Sequence, residues 1–184
     1  YLDNLYDYYE EIGDAKSLYY LAKYGKDVDV QEAVKRIIAI GDAEYITLAA
    51  ENIEEANKMI LEDAIRETKS KKWIPEFATR VRDANDLKLG DAIIGLGDPE
   101  AIVDHAERTR GDKKYEDKIV EIGNPFWEYV YARDVEGADV PRLEKEVRKS
   151  GEGSIICDFA IDVKGANIQK CEDAVVATGE IEAI

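Results

Sequence analysis

His105, Cys157 and Cys171 are the only imidazole and thiol groups in this sequence, and 41 aspartates and glutamates surround them. One histidine cannot supply a two-histidine zinc motif, and two cysteines make neither a disulfide scaffold nor a cysteine-rich metal site. Nucleophilic catalysis needs a nucleophile beside a base, and nothing near His105 offers one. There is no phosphate-binding loop, no G-x-S-x-G elbow, no dinucleotide fingerprint and no EF-hand loop. The sequence therefore nominates no catalytic residue, no metal ligand and no cofactor.

What remains is charge. Carboxylates recur at wide, even spacing as Asp7, Asp63, Asp91, Asp117 and Asp173, beside Glu62, Glu116, Glu144 and Glu172. Lys35 and Lys145 interrupt the series. The whole chain of 184 residues carries a formal charge of −16. Residues 66–82 run against it with a local balance of +4, centred on Lys71, Lys72 and Trp73. An excess of acid excludes direct nucleic-acid binding, which needs cations to neutralise phosphates, and disfavours docking on anionic membranes. No apolar run is long enough to span a bilayer, and the low cysteine count suits a cytoplasmic setting.

The elements that position these charges show in an internal repeat. Ala22, Ala50, Ala78, Ala106, Ala132 and Ala160 are separated by 28, 28, 28, 26 and 28 residues. A glycine keeps step at Gly13, Gly41, Gly97, Gly123, Gly151 and Gly179, with Lys69 in the one missing place. Six copies follow, at 13–40, 41–68, 69–96, 97–122, 123–150 and 151–178, flanked by a half copy at 1–12 and a stub at 179–184. They are read as one helical-repeat domain.

Each copy carries apolar residues at helical spacing in two stretches, for example Ile46, Ala49, Ala50, Ile53 and then Leu89, Ile93, Leu96. Asp14, Asp42, Ser70, Asp98 and Asn124 sit where they would cap a first helix, with Pro99 and Pro125 at its first position. Gly111, Gly137 and Gly165 are expected to end it. Asp29, Asn57, Asn85, Asp139 and Asn167 would cap a second, Asp29 with Glu32 as a capping box. Pro75 is expected about five residues into its helix, at the loss of one backbone hydrogen bond. The fold class is all-α: an α-solenoid of about six stacked αα-hairpins, with the repeated alanine letting helices approach closely.

The pattern G-D-x-x-x-I-x-x-F-A-x-D-V-x-G-A-N-I-x-x-L-E-D-A-I resembles short HEAT-like helical repeats such as those of uncharacterised bacterial and phage proteins. The closest stretches are Ala132 to Val135 with Gly137 and Ala138, and Phe159 through Ile168. The resemblance implies a solenoid and a binding role, and it brings no catalytic residues with it.

In such an array His105 takes the place of Leu21, Phe77, Tyr131 and Phe159 and is expected to be a packed core residue. Cys171 takes a leucine place and is expected to be an inert buried thiol facing Cys157. Eight of eleven tyrosines fall in the first 45 residues, as a terminal cap would require. The function expected is a non-enzymatic protein-interaction module whose acidic face binds a basic protein partner. That face comprises Glu62, Asp63, Asp91, Glu116, Asp117, Glu144, Glu172 and Asp173, with Lys71, Lys72 and Trp73 as its cationic edge. A nucleic-acid mimic that inhibits a DNA- or RNA-binding protein is the alternative, and an enzyme hosted on a solenoid comes third. The ends suggest either a longer natural chain or end-to-end self-association.

Overall fold

The computed structural model describes residues 13–179, all of whose regular structure is helical. Asp7, the half copy at 1–12 with its four tyrosines, and residues 180–184 lie outside the described residues. Twelve helices follow in order: α1 (Ala15–Tyr24), α2 (Val30–Ile40), α3 (Ala43–Asn52), α4 (Lys58–Glu67), α5 (Trp73–Arg80) and α6 (Asp86–Leu96). After them come α7 (Pro99–Thr109), α8 (Lys113–Ile122), α9 (Pro125–Asp134), α10 (Val140–Ser150), α11 (Gly153–Asp162) and α12 (Ile168–Thr178). The chain forms two compact units, residues 1–96 and 97–184, each carrying six of these helices.

Within the first unit the helices pair as α1 with α2, α3 with α4 and α5 with α6, and α3 packs against both α1 and α5. Within the second, α7 pairs with α8, α9 with α10 and α11 with α12, and α9 packs against both α7 and α11. The apolar stripes line these contacts. Leu18, Ile46, Ile74, Ile102 and Ile156 are buried at corresponding places of the odd-numbered helices, and Ile37, Leu61, Leu89, Ile119 and Leu143 line the even-numbered ones. The repeated alanine is buried at Ala22, Ala50, Ala78, Ala106 and Ala132, and half-buried at Ala160.

Local chemistry sets the helix ends. Asp14, Asp42 and Asn124 accept amide hydrogens of the first turn of α1, α3 and α9, and Asp29, Asn57, Asp139 and Asn167 do so for α2, α4, α10 and α12. Glu32 donates its amide to Asp29, but its side chain turns to Lys35, so half of the expected capping box forms. Asp98 makes no side-chain cap bond.

One expectation about the helices holds and one is corrected. The Trp73 amide donates to the Ser70 hydroxyl, and the Ile74 and Glu76 amides bond the Ser70 and Lys72 carbonyls, so Pro75 between them, five residues past Ser70, leaves out one backbone hydrogen bond. Gly137 and Gly165 do not end their helices: α9 and α11 stop two residues earlier, on the extended residues Val135 and Val163. Ile53, Val81, Val135 and Val163 are buried, and each carbonyl accepts the amide of an alanine three residues on, Ala56, Ala84, Ala138 or Ala166. A single linker turn thus serves four hairpins. The α7–α8 linker is two residues shorter, and there Arg110 and Gly111 both take left-handed backbone.

Candidate functional site

Glu62, Glu116 and Glu144 do not face solvent. They are 5%, 5% and 4% exposed, although a carboxylate beside another charged residue in a helix reads as surface charge. Each stands one residue after a buried Leu61, Tyr115 or Leu143, which turns it inward with the apolar stripe. Each then accepts a backbone N–H from the linker of the next hairpin: Asn85 at 2.8 Å, Asp139 at 2.8 Å and Asn167 at 2.7 Å. In all three cases the amide lies 23 residues further along the chain. The amide belongs to the residue just before the second helix of that hairpin.

A buried carboxylate is tolerable only when paired and hydrogen-bonded. Arg142 supplies a cation to Glu116 at 2.8 Å, Arg148 to Glu144 at 3.4 Å, and Lys88 approaches Glu62 at 4.0 Å. These three glutamates therefore clasp successive hairpins together within their own unit. The expectation that they line a partner-binding face is corrected, because their oxygens are spent on the fold. The corresponding places are Val34 and Gly90 in two other copies, an apolar and a small residue. That variation is the signal by which the sequence marks the place as interior. Glu172, in the same register, is exposed and has no partner among the described residues.

The aspartates one residue on behave differently. Asp63, Asp91, Asp117 and Asp173 are all exposed. Asp63 meets Arg66 at 3.1 Å and Lys88 at 3.4 Å, Asp117 meets Arg142 at 2.6 Å, and Asp173 accepts from the Gln169 amide at 3.1 Å. Lys88 and Arg142 come from the following hairpin, so two rungs of the acidic series are partly neutralised from within. Screened pairs of this kind stabilise little, roughly 0–1 kcal/mol.

The cationic edge divides by residue type. The arginines of residues 66–82 are all engaged with acids of their own unit: Arg66 with Asp63, Arg80 with Glu51 and Glu76, and Arg82 with Asp83. Lys71 and Lys72 are exposed and carry no ion pair among the described residues, and Lys72 Nζ sits 4.4 Å from the half-buried Trp73 ring. Exposed positive charge without an ion pair is therefore carried here by Lys69, Lys71 and Lys72, of which Lys72 lies against the indole.

His105 is 3% exposed, its Nδ1 lies 2.6 Å from Arg108 Nη2, and its ring packs on Tyr115. It is the packed core residue expected. Cys171 is buried while Cys157 is half-buried, neither is in a disulfide, and burial pushes the Cys171 thiol up from its usual range. A cleft of about 170 Å³ in the second unit is bordered by Gly111, Glu116, Tyr131, Val135 and Asp139, and His105 does not line it. No group of three or more histidines, cysteines and carboxylates able to hold a metal occurs among the described residues. None of the helices among them is long and apolar enough to cross a membrane.

One residue escaped the sequence reading. Glu128 of α9 occupies the place that Leu18, Ile46, Ile74, Ile102 and Ile156 hold in the other copies, and it is 3% exposed. Its carboxyl has no hydrogen-bond partner among the described residues. Burial, with a smaller contribution from Glu146, pushes it up to about 7. Superposing the copies in sequence would have exposed this acid in an aliphatic place. Comparison with protein-family models, with curated proteins and with solved structures finds no match for this chain.

Proposed function

We propose that the chain is a HEAT-like α-solenoid of about six hairpins that works as a non-enzymatic interaction module, its exposed aspartates receiving a basic protein partner. One observation carries this reading. At two registered Glu–Asp pairs, Glu62–Asp63 and Glu116–Asp117, the glutamate is consumed by the fold and the aspartate is left outside. Exposed carboxylates that recur from repeat to repeat offer a regular set of acceptors for lysine and arginine side chains. The face consists of Asp63, Asp91, Asp117 and Asp173, with Glu172 beside the last.

The test is affinity capture from an extract of the source cells, using the wild-type chain and the D63K/D91K/D117K variant. Basic proteins held by wild type, released by salt and absent from the variant support the proposal. Retention that ignores both the substitutions and salt overturns it. Displacement of a captured protein by duplex DNA marks nucleic-acid mimicry as the manner of binding.

A further inference from the structure

Glu128 is the one carboxylic acid set in a core place that five other copies fill with leucine or isoleucine. Its helix packs on α7, α8, α10 and α11, so it has neighbours on every side. The charged groups that act on it are Glu146 and Lys149, both of α10. Those two are already committed to each other, with Lys149 Nζ 2.6 Å from Glu146. The titratable groups brought by the remaining helices are otherwise engaged. His105 of α7 meets Arg108, Glu116 of α8 holds Arg142 and the Asp139 amide, and Asp162 of α11 accepts from Tyr129 at 2.7 Å. On α9 itself, Arg133 is paired with Asp134. Among the described residues no cation forms an ion pair with Glu128, and no hydrogen-bond donor reaches it.

A carboxyl so placed has two states with different packing. With a proton taken from solvent on one carboxyl oxygen it is neutral and fits an aliphatic place. Once it gives that proton back to water, the carboxylate needs more hydration than a side chain only 3% exposed receives. We propose that Glu128 makes the α9–α10 hairpin a pH-responsive element, closed when the acid is protonated and loosened when it is ionised. The loosening is confined to this copy, because the corresponding places elsewhere in the described chain are aliphatic. The inference is independent of the acidic face, whose aspartates lie on other helix surfaces.

The direction follows from linkage. A carboxyl raised in the folded state binds more protons folded than unfolded, so stability falls as pH rises through the interval between the two values. For Glu128 that interval runs from the ordinary 4.5 up to about 7.

The experiment follows thermal unfolding of the full chain from about pH 5 to about pH 8, for wild type, E128Q and E128I. The wild-type midpoint is expected to drop by roughly 5–10 °C more than that of E128I over this range. E128Q, which cannot ionise, should follow the E128I slope. Equal slopes in all three chains overturn the proposal. Should a variant fail to fold, the carboxyl carbon of Glu128 is titrated by NMR in the wild-type chain, together with amide exchange across α9 and α10. A midpoint near neutrality with faster exchange above it supports the switch. A midpoint near 4.5, or exchange that does not change across the titration, overturns it.

Discussion

The glutamates at 62 and 116 and the aspartates that follow them differ by one methylene and one place in the helix, yet they have opposite fates. Rotation by one residue moves a side chain about 100° around the helix axis. That is enough to carry one carboxylate into the seam between hairpins and leave the next in water. The energetic consequence differs accordingly. Replacing Glu116 by alanine orphans the Asp139 amide, releases Arg142 and leaves a void, for an expected loss of about 2–4 kcal/mol in urea unfolding. Glu116→Gln keeps an acceptor oxygen for the amide and should cost less than Glu116→Ala. Asp117→Ala, one residue away, removes only an exposed pair and should stay within about 1 kcal/mol of wild type. Equal losses at 116 and 117 would show that the clasp is not what joins these hairpins. Glu128 stands apart from both classes, being inside without a partner.

At the scale of elements, linker geometry decides where helices stop. The glycine of the repeat takes left-handed backbone wherever it occurs, and Lys69, which replaces it once, is held in the same region with φ 52°. A side chain there is strained, so Lys69→Gly is expected to raise stability by about 0.5–1 kcal/mol. Gly111, in the short α7–α8 linker, is constrained by space as well as by its φ of +40°. An added Cβ would come within 2.7 Å of Val135 and 3.0 Å of the Tyr131 hydroxyl. Gly111→Ala should therefore cost roughly 2 kcal/mol, whereas Gly137→Ala, with open space around it, should cost about 1 kcal/mol from backbone strain alone. The pair of urea curves separates steric from conformational cost. Capping residues and helical stripes were legible because each depends on neighbours within four or five positions. The glutamate clasp was not. Its partner is a backbone amide 23 residues away, and an amide leaves no mark in the residue alphabet.

For the molecule as a whole the dominant quantity is the charge of −16. Burial of Glu62, Glu116 and Glu144 beside cations removes little of it from the surface, since most acids remain exposed. Self-repulsion should thus lower stability at low ionic strength, and raising salt from about 10 mM to about 200 mM should raise the melting midpoint. A midpoint that falls with salt would show instead that pairs such as Arg142 with Asp117 outweigh the repulsion. Repulsion also eases on acidification, which is why the slope attributed to Glu128 must be taken against E128I rather than from wild type alone.

By itself the sequence determined the helical stripes, most of the N-caps, the core role of His105 and the burial of Cys171. All of these follow from short-range periodicity and from which residue types share a place. Only the tertiary structure decided which carboxylates are surface and which are seam. The hydropathy of an acid is the same in both settings, and the difference is whether a neighbouring hairpin presents an amide and a cation to it. Glu62, Glu116 and Glu144 find both, Asp63 and Asp117 find a cation in water, and Glu128 finds neither.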